Sequence, residues 1–260
     1  MAGTIHFVAD AGVATVTLES PGKLNAVGVA MWNELRRVFE ALAGDGNVRC
    51  IVVRGAGGNF AAGADLDEFS EVHHDRASAR RFHLESVVPS LAAIRDVPKP
   101  VVAAIEGVCA GGGLQIALAC DVRIAADTAR FGVPVGRLGL PVVLPELRLL
   151  LERLGQTVTA DLLLTGRLLD AREAREHGVV SRTVAAAEFE QRVAETVHAI
   201  TAGSPLAARR NKAQIRLLVE RGMDYTAHDL DASLEFLDSD DYREGIAAFL
   251  GKRQPKFTGR

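Results

Sequence analysis

Residues 99–121 read KPVVAAIEGVCAGGGLQIALACD, and this stretch decides how the first half of the chain is built. The apolar run 101–105 predicts a buried strand, and the glycines that follow predict a turn that opens a helix over 112–120. Small residues let a ligand approach the main chain closely, and the first N–H groups of a helix have no partner within it. The stretch therefore predicts a strand–turn–helix unit with free backbone donors.

A second glycine turn follows another apolar strand, 50–53, where residues 59–66 read NFAAGADL. If the two turns face each other, their N–H groups form a pair of preorganised donors suited to a developing oxyanion. The structural alternative is that both turns are only close-packing points between a strand and a helix. The residues of the turns leave both interpretations open.

Strand and helix patterns alternate through the first half of the chain. A hairpin is predicted over 4–18 and a helix over 27–42, and this alternation is typical of α/β folds with crossover connections. From Pro145 onward the pattern is mostly helical, with separate helices predicted over 145–154 and 157–164. We expect a core region over residues 1–195 and a helical C-terminal oligomerisation region over 196–260.

Composition and charge exclude several classes of function. The chain has 260 residues, is 48% hydrophobic and carries a net charge of −3, so nothing indicates a nucleic-acid or membrane partner. Its three cysteines have no metal-ligand spacing and no disulfide pattern, and no metal site is expected. The N-terminal residues lack the pattern of a signal peptide. These features favour a cytoplasmic protein.

A dinucleotide-binding turn is the first alternative for the glycine-rich stretch. That fingerprint requires glycines at its first, third and sixth positions. Counting from Gly111, the third position is Gly113 but the sixth is Ile116. A dinucleotide-dependent enzyme therefore stays as a weaker hypothesis, which NAD(H) binding would test.

The combined motifs resemble those of the enoyl-CoA hydratase/isomerase (crotonase) family. Residues 59–66 are similar to its F-x-A-G-A-D-L turn, and 107–121 to its G-x-x-x-G-G-G-x-E-L-A-x-x-C-D segment. Residues 131–134, FGVP, match its F-G-x-P, and 244–250, EGIAAFL, resemble its E-G-x-x-A-F-L. The resemblance extends over nearly the whole chain.

This resemblance implies a fold, a ligand and a set of site residues. The fold would be an α/β spiral of ββα units with a helical C-terminal region, assembled as a homotrimer or as a hexamer made of two trimers. The substrate would be an acyl-CoA, with no cofactor beyond the coenzyme A thioester itself. The oxyanion hole would map to the N–H groups of Ala64 and Gly112. The residues expected to contact the coenzyme A ligand are Lys23, Ala26, Ala62, Ala64, Asp65, Leu66, Gly112 and Val135.

The sequence departs from the family pattern where the chemistry is done. Hydratases of the family use two glutamates, and Gln115 and Val135 stand at these positions. A glutamine can hold a water molecule, but its amide does not exchange protons near neutral pH, and valine does neither. We therefore expect ordinary enoyl-CoA hydration to be slow or absent. Ser20 also stands where the family pattern has an arginine, which puts one coenzyme A phosphate contact in doubt.

Glu146 is the candidate for the missing acid or base. It lies in 140–146, LPVVLPE, which replaces the family's P-G-A-G-G-T stretch. It also follows Pro145 at a predicted helix start, where an acid is favoured by the helix dipole alone. Cys109 is a weaker candidate nucleophile, and His73 and His74 are expected in a mobile polar loop without a required role.

Two functional hypotheses are favoured over the dinucleotide-dependent enzyme. The first is an acyl-CoA enzyme of this family whose oxyanion hole is kept and whose proton chemistry is atypical, such as isomerisation or decarboxylation. The second is a catalytically degenerate acyl-CoA-binding protein. Proton exchange at the α-carbon of a saturated acyl-CoA distinguishes them.

Overall fold

The chain opens with the predicted hairpin. In the computed structural model, which describes residues 3–260, β1 (Thr4–Asp10) pairs antiparallel with β2 (Val13–Glu19). Met1 and Ala2, the start of the expected core region, lie outside the described residues. Alternate residues of β2 are buried, as expected for a strand with one face on the core. The hairpin therefore forms one edge of the main sheet.

The main sheet has six strands in the order β1-β2-β3-β4-β6-β9, and every pair after the first hairpin is parallel. Parallel neighbours require crossover connections, which the intervening helices supply. The predicted strands at 50–53 and 101–105 are confirmed as its centre. The strands that follow the hairpin in this sheet are β3 (Cys50–Gly55), β4 (Val101–Ile105), β6 (Val122–Ala126) and β9 (Arg182–Val184).

A small second sheet was missed from the sequence. Its three strands are β5 (Val108–Ala110), β7 (Arg130–Gly132) and β8 (Leu169–Asp170). These strands are two or three residues long, too short for a periodic pattern to show. Residues between the strand 101–105 and the triple glycine were expected to form only a turn, and this is wrong, since β5 lies among them.

Helices cover the sheet and fill the second half of the chain. The predicted break between helices 145–154 and 157–164 is confirmed as a non-helical residue, Gly155, with φ of 71° inside α6. None of the helices within residues 3–260 combines the length and apolar character needed to cross a membrane. The helices are α1 (Val29–Gly44), α2 (Phe69–Val72), α3 (Arg76–Arg81), α4 (Val88–Asp96), α5 (Gly112–Ala119), α6 (Leu144–Thr165), α7 (Ala171–Glu176), α8 (Phe189–Ala202), α9 (Pro205–Glu220), α10 (Ala227–Leu234) and α11 (Asp240–Leu250).

The C-terminal helices join the core through α8 and a few polar contacts. Phe189, Val193 and Val197 of α8 pack against one face of the main sheet. The expected boundary between residues 195 and 196 falls inside this helix. Beyond it, Lys212 of α9 donates to a carboxylate oxygen of Asp121 at 2.8 Å and to the Lys99 carbonyl at 2.9 Å.

Candidate active site

The two glycine turns are in direct contact. Ala61 and Cys109 form an isolated parallel bridge, and the Ala110 N–H donates to the Ala61 carbonyl at 2.9 Å. A methyl group added to Gly113 would overlap the Ala61 carbonyl oxygen, and Gly63 has a φ of +118°, a conformation that favours glycine. The turns therefore approach closely because glycine occupies the point where they meet.

Two backbone N–H groups at this contact have no acceptor among residues 3–260. The Val27 N–H donates to Gly63 and the Asp65 N–H donates to Val27, at 2.7 and 3.2 Å, and these bonds use the peptide groups on either side of Ala64. The Ala64 N–H itself has no hydrogen-bond acceptor in that part of the chain, and neither does the N–H of Gly112, the first residue of α5. Both residues line the same cavity.

That cavity has a volume of about 1250 Å³ and brings together the residues expected at the site. Its walls come from both glycine turns, from the segment between α2 and α4, and from residues 133–146. Ligand pockets of this size are usually apolar with a few convergent polar groups. The expected site residues on its wall are Lys23, Ala26, Ala62, Ala64, Asp65, Leu66, Gly112, Gln115, Val135 and Glu146.

Glu146 is buried and hydrogen-bonded to Gln115. The Gln115 amide donates to Glu146 Oε2 at 3.0 Å, and the two residues are only 4% and 7% exposed. Helix α5 places Gln115 one turn from the triple glycine, and the first turn of α6 places Glu146 opposite it. A carboxylate thus lies beside the position where the family pattern has a glutamate, although the residue at that position is an amide.

Two histidines extend the contacts of Glu146. His83 Nδ1 lies 2.6 Å from Glu146 Oε1, and His83 Nε2 lies 3.2 Å from His73 Nε2. His83 belongs to a π-helical turn, Phe82–Val87, a rare conformation that occurs frequently at functional sites. The result is a continuous chain of polar contacts from His73 through His83 and Glu146 to Gln115.

His73 lies in the expected loop, at the turn that ends α2, but the expectation of polar surroundings is wrong. His73 ends the short helix α2, lines the cavity, and packs edge-on against Phe69 and Phe82 at ring-centroid distances of 4.8 and 5.6 Å. Burial lowers the pKa of His73, and the nearby His83 lowers it further. The sequence offered no signal for this pairing, because the histidines are ten residues apart and a π-helical turn sets their alignment.

An ion-pair cluster lies at one wall of the cavity. Lys23 Nζ contacts Asp65 Oδ2 at 2.6 Å and Asp67 Oδ2 at 2.7 Å. Hydrogen bonds that the Lys23 ammonium donates to these two carboxylates raise the pKa of Lys23, with that to Asp65 the larger cause. Lys23 therefore stays cationic, and its ammonium group is available to a phosphate only in competition with two carboxylates.

Val135 gives the wall an apolar surface where the family pattern has its second glutamate. It belongs to a 3-10 turn, Pro134–Leu138, and packs at the margin of the main hydrophobic core. A valine side chain neither donates nor accepts a proton. This position can shape the cavity but cannot take part in proton transfer.

Several other polar residues near the turns have structural partners. Glu68 accepts from the Val29 N–H at 2.7 Å at the start of α1, and Asn25 donates to the carbonyls of Ala56 and Asn59, both at 2.8 Å. Cys109 is fully buried, and burial raises the pKa of its thiol well above the ordinary value. This environment suppresses the thiolate that a nucleophile requires.

Comparison with known proteins assigns the family. A sequence model described as Enoyl-CoA hydratase/isomerase matches residues 8–260. The chain belongs to the enoyl-CoA hydratase/isomerase family. A solved enoyl-CoA hydratase/carnithine racemase from Magnetospirillum magneticum superposes with a TM-score of 0.96 at 38% identity, covering 100% of this chain and 97% of that one. The expected family and its α/β crotonase fold are confirmed.

Relatives in this family differ in their reactions. The chain is 35% identical over 261 residues to a probable enoyl-CoA hydratase of Mycobacterium tuberculosis, covering 99% of this chain and 98% of that protein. It is 30% identical over 263 residues to a peroxisomal Delta(3,5)-Delta(2,4)-dienoyl-CoA isomerase of Arabidopsis thaliana, covering 96% and 94%. This chain is therefore an acyl-CoA-processing member of the hydratase/isomerase family, and its reaction must be argued from its own side chains.

Proposed function

We propose that this enzyme stabilises the enolate of an acyl-CoA thioester with the N–H groups of Ala64 and Gly112. Both groups lack an acceptor among residues 3–260, and both residues line the cavity. Donors held by the backbone need no reorganisation as charge develops on the thioester oxygen, and one such donor is worth about 3 kcal/mol. The start of α5 adds the positive end of a helix dipole.

The observation that carries the proposed reaction is the contact between Glu146 and Gln115. In this proposal both glutamates of the family's hydratases are replaced, by Gln115 and Val135, and Glu146 supplies a carboxylate bonded to the Gln115 amide. Glu146 removes a proton from the α- or γ-carbon of the substrate, and the two N–H groups stabilise the resulting enolate. Gln115 orients the carboxylate and exchanges no proton itself.

This arrangement favours isomerisation over hydration. Moving a double bond requires one base that takes a proton from one carbon and returns it to another. Hydration also requires a group that activates water and a source of the second proton, which the family's paired glutamates supply. The Glu146 carboxylate meets the first requirement, and Val135, which lines the same cavity, cannot supply the second group, so we assign the protein to enolate chemistry such as double-bond isomerisation.

Hydrogen exchange at the α-carbon tests this assignment. A saturated acyl-CoA, incubated with the protein in D₂O, is expected to gain deuterium at its α-carbon. Glu146→Gln is expected to slow this exchange by about 100-fold or more, because it removes the base. Glu152→Gln is the matched control, since Glu152 lies on the same helix and pairs with Arg148. Equal exchange by the two variants would rule out Glu146 as the base.

An acyl-CoA-binding protein without turnover is the second candidate function. The same cavity and the same backbone donors would support it, and it differs only in the absence of proton transfer. Calorimetry with a saturated acyl-CoA tests this binding function. Tight binding with no deuterium gain in the unsubstituted protein would select this function and reject the enzyme.

We also propose a homotrimer, or a dimer of trimers, in the cytoplasm. The C-terminal helices carry large apolar side chains that are mostly exposed in the single chain, a pattern that marks an interaction surface. The free thiols of Cys50, Cys109 and Cys120 are consistent with a reducing compartment. Analytical ultracentrifugation tests the assembly, and a monomer at micromolar concentration would contradict it. Exposed members of this surface are Ile215, Met223, Tyr225, Leu230, Leu237, Ile246, Phe249 and Leu250.

A further inference from the structure

The proposed base has an unusual set of partners, which the family motifs do not contain. Glu146 accepts contacts on both carboxylate oxygens, from Gln115 on Oε2 and from His83 on Oε1. His83 in turn contacts His73 through the Nε2 atoms of the two rings. These four residues come from α5, α6, a π-helical turn and the end of α2, so the cluster is assembled by tertiary structure.

The contacts determine where the protons lie. A hydrogen bond between two ring nitrogens requires a proton on one and a lone pair on the other. If Glu146 is ionised, His83 Nδ1–H donates to it, and His83 Nε2 of the neutral ring is an acceptor. His73 Nε2–H must then donate, which leaves His73 Nδ1 without a proton. That atom is buried and has no partner among residues 3–260, as suits a bare lone pair better than an N–H.

The rings are held in place by packing. His73 lies edge-on to Phe69. Phe82 packs against both imidazoles, with ring-centroid distances of 5.6 Å to His73 and 5.0 Å to His83. The His83 side chain is 16% exposed. Such confinement fixes the side-chain rotamers, so that the Glu146 carboxylate meets a donor with a set direction.

We propose that His83 is a positioning residue that orients the Glu146 carboxylate as a base, and that His73 selects the His83 tautomer. This inference rests on the proposed function, since it assigns Glu146 the role of proton acceptor. Donors to both oxygens fix the orientation of the carboxylate and leave its remaining lone pairs to take a proton. The other ionisable groups on the cavity wall are Lys23, Asp65, Asp67, Arg80 and Arg137.

The first test reads the tautomers directly and does not depend on activity. Nitrogen-15 NMR of the imidazole rings, near neutral pH, is expected to show protonated Nδ1 in His83 and protonated Nε2 in His73. The chain has seven histidines, so His83→Asn and His73→Gln serve to assign the signals. The opposite tautomer of either ring would overturn the inference, as would a doubly protonated His83.

The second test separates positioning from packing by a matched pair of variants. His83→Leu removes the donor and is expected to lower kcat for α-proton exchange by about 10–100-fold, the loss typical of removing a group that orients a functional side chain. KM is expected to stay within about twofold, because binding is retained. His83→Asn, whose amide nitrogen takes the place of Nδ1, is expected to recover much of the loss.

The outcomes separate the role of His83 from the proposed role of Glu146 as the base. Unchanged kcat in His83→Leu, or an equal loss in His83→Leu and His83→Asn, overturns the role of His83 while leaving Glu146 as the base. Absence of exchange in the unsubstituted protein overturns the proposed function and the role of His83 together. If the leucine variant does not fold, the tautomers of the unsubstituted protein still decide the inference.

Discussion

The two glycine turns and the Glu146 cluster line the same cavity, but they are built from different parts of the chain. The turns present main-chain N–H groups, and their approach depends on residues without side chains, such as Gly113. The cluster presents side chains from four separate elements, of which His83 and Glu146 are 63 residues apart. One half of the site therefore acts through main-chain N–H groups. The other half acts through side chains that tertiary packing brings together.

Under the proposed function, this difference lets a site change its reaction while keeping its ligand. In that proposal the main-chain donors bind the thioester oxygen whatever the neighbouring side chains are, so the turns determine the ligand class. The proton-transfer residues are then replaced, as proposed at Gln115 and Val135, without disturbing those donors. The following experiments act on one half of the site and leave the other intact.

Hydration is expected to show the largest effect, since it needs both groups of the family pattern. We expect the protein to hydrate crotonyl-CoA about 10²–10⁴-fold more slowly than an enzyme with both proton-transfer groups. The loss of enoyl absorbance measures this rate, and α-proton exchange on the same sample shows that the protein is competent. A hydration rate as high as the exchange rate would contradict the proposal that the side-chain half of the site lacks the proton-transfer groups of the hydratases.

Gly113→Ala tests the backbone half. An added methyl group would lie 2.8 Å from the Ala61 Cβ and closer still to the Ala61 carbonyl, so the turns must separate. We expect a loss of about 1–3 kcal/mol in the free energy of unfolding, measured by urea denaturation. Gly44→Ala is the control, because an added methyl there meets nothing within 4 Å. A similar loss in both variants would contradict the close contact of the turns.

Lys23→Met tests the ligand contact next to the first turn. If the Lys23 ammonium meets a coenzyme A phosphate in addition to Asp65 and Asp67, its removal should weaken acyl-CoA binding roughly fivefold. Calorimetry at low salt measures this change, and kcat for exchange is expected to stay the same. Lys252→Met, at an exposed position far along the chain, controls for net charge. Unchanged affinity would remove Lys23 from the ligand site.

His73→Gln tests the side-chain half through pH. Burial lowers the pKa of His73, so the unfolded chain binds more protons than the fold as the pH falls below about 6.5. His73 therefore leaves the free energy of unfolding unchanged above that pH. The free energy of unfolding decreases as the pH falls from about 6.5 to the lowered pKa of the folded state. We expect the unfolding free energy of the unsubstituted protein to decline more steeply between pH 6.5 and 5, as about one proton is taken up, than that of the variant. Parallel curves would contradict a lowered pKa of the half-buried His73.

Sequence patterns predicted the backbone half well, because glycines after a strand directly indicate a turn or a close approach of the main chain. The strand 101–105, the helix after the triple glycine and the break at Gly155 all follow from local composition, and the structure confirms them. The small second sheet was missed because strands of two or three residues have no period. Longer segments with regular patterns were the ones that could be predicted.

The side-chain half could be predicted only in part. Gln115 and Val135 were informative as departures from family motifs, and Glu146 was a candidate by its position alone. Its partners were not predictable, because a π-helical turn aligns His83 with residues far away in sequence. Side chains that meet through tertiary packing leave no spacing pattern in the chain.

The most direct test of the central claim is a crystal structure with a saturated acyl-CoA bound. We predict that the thioester oxygen lies about 3 Å from the nitrogens of both Ala64 and Gly112. We also predict that a Glu146 oxygen is the nearest ionisable atom to the α-carbon. A thioester oxygen away from either N–H group, or an α-carbon out of reach of Glu146, would contradict the account.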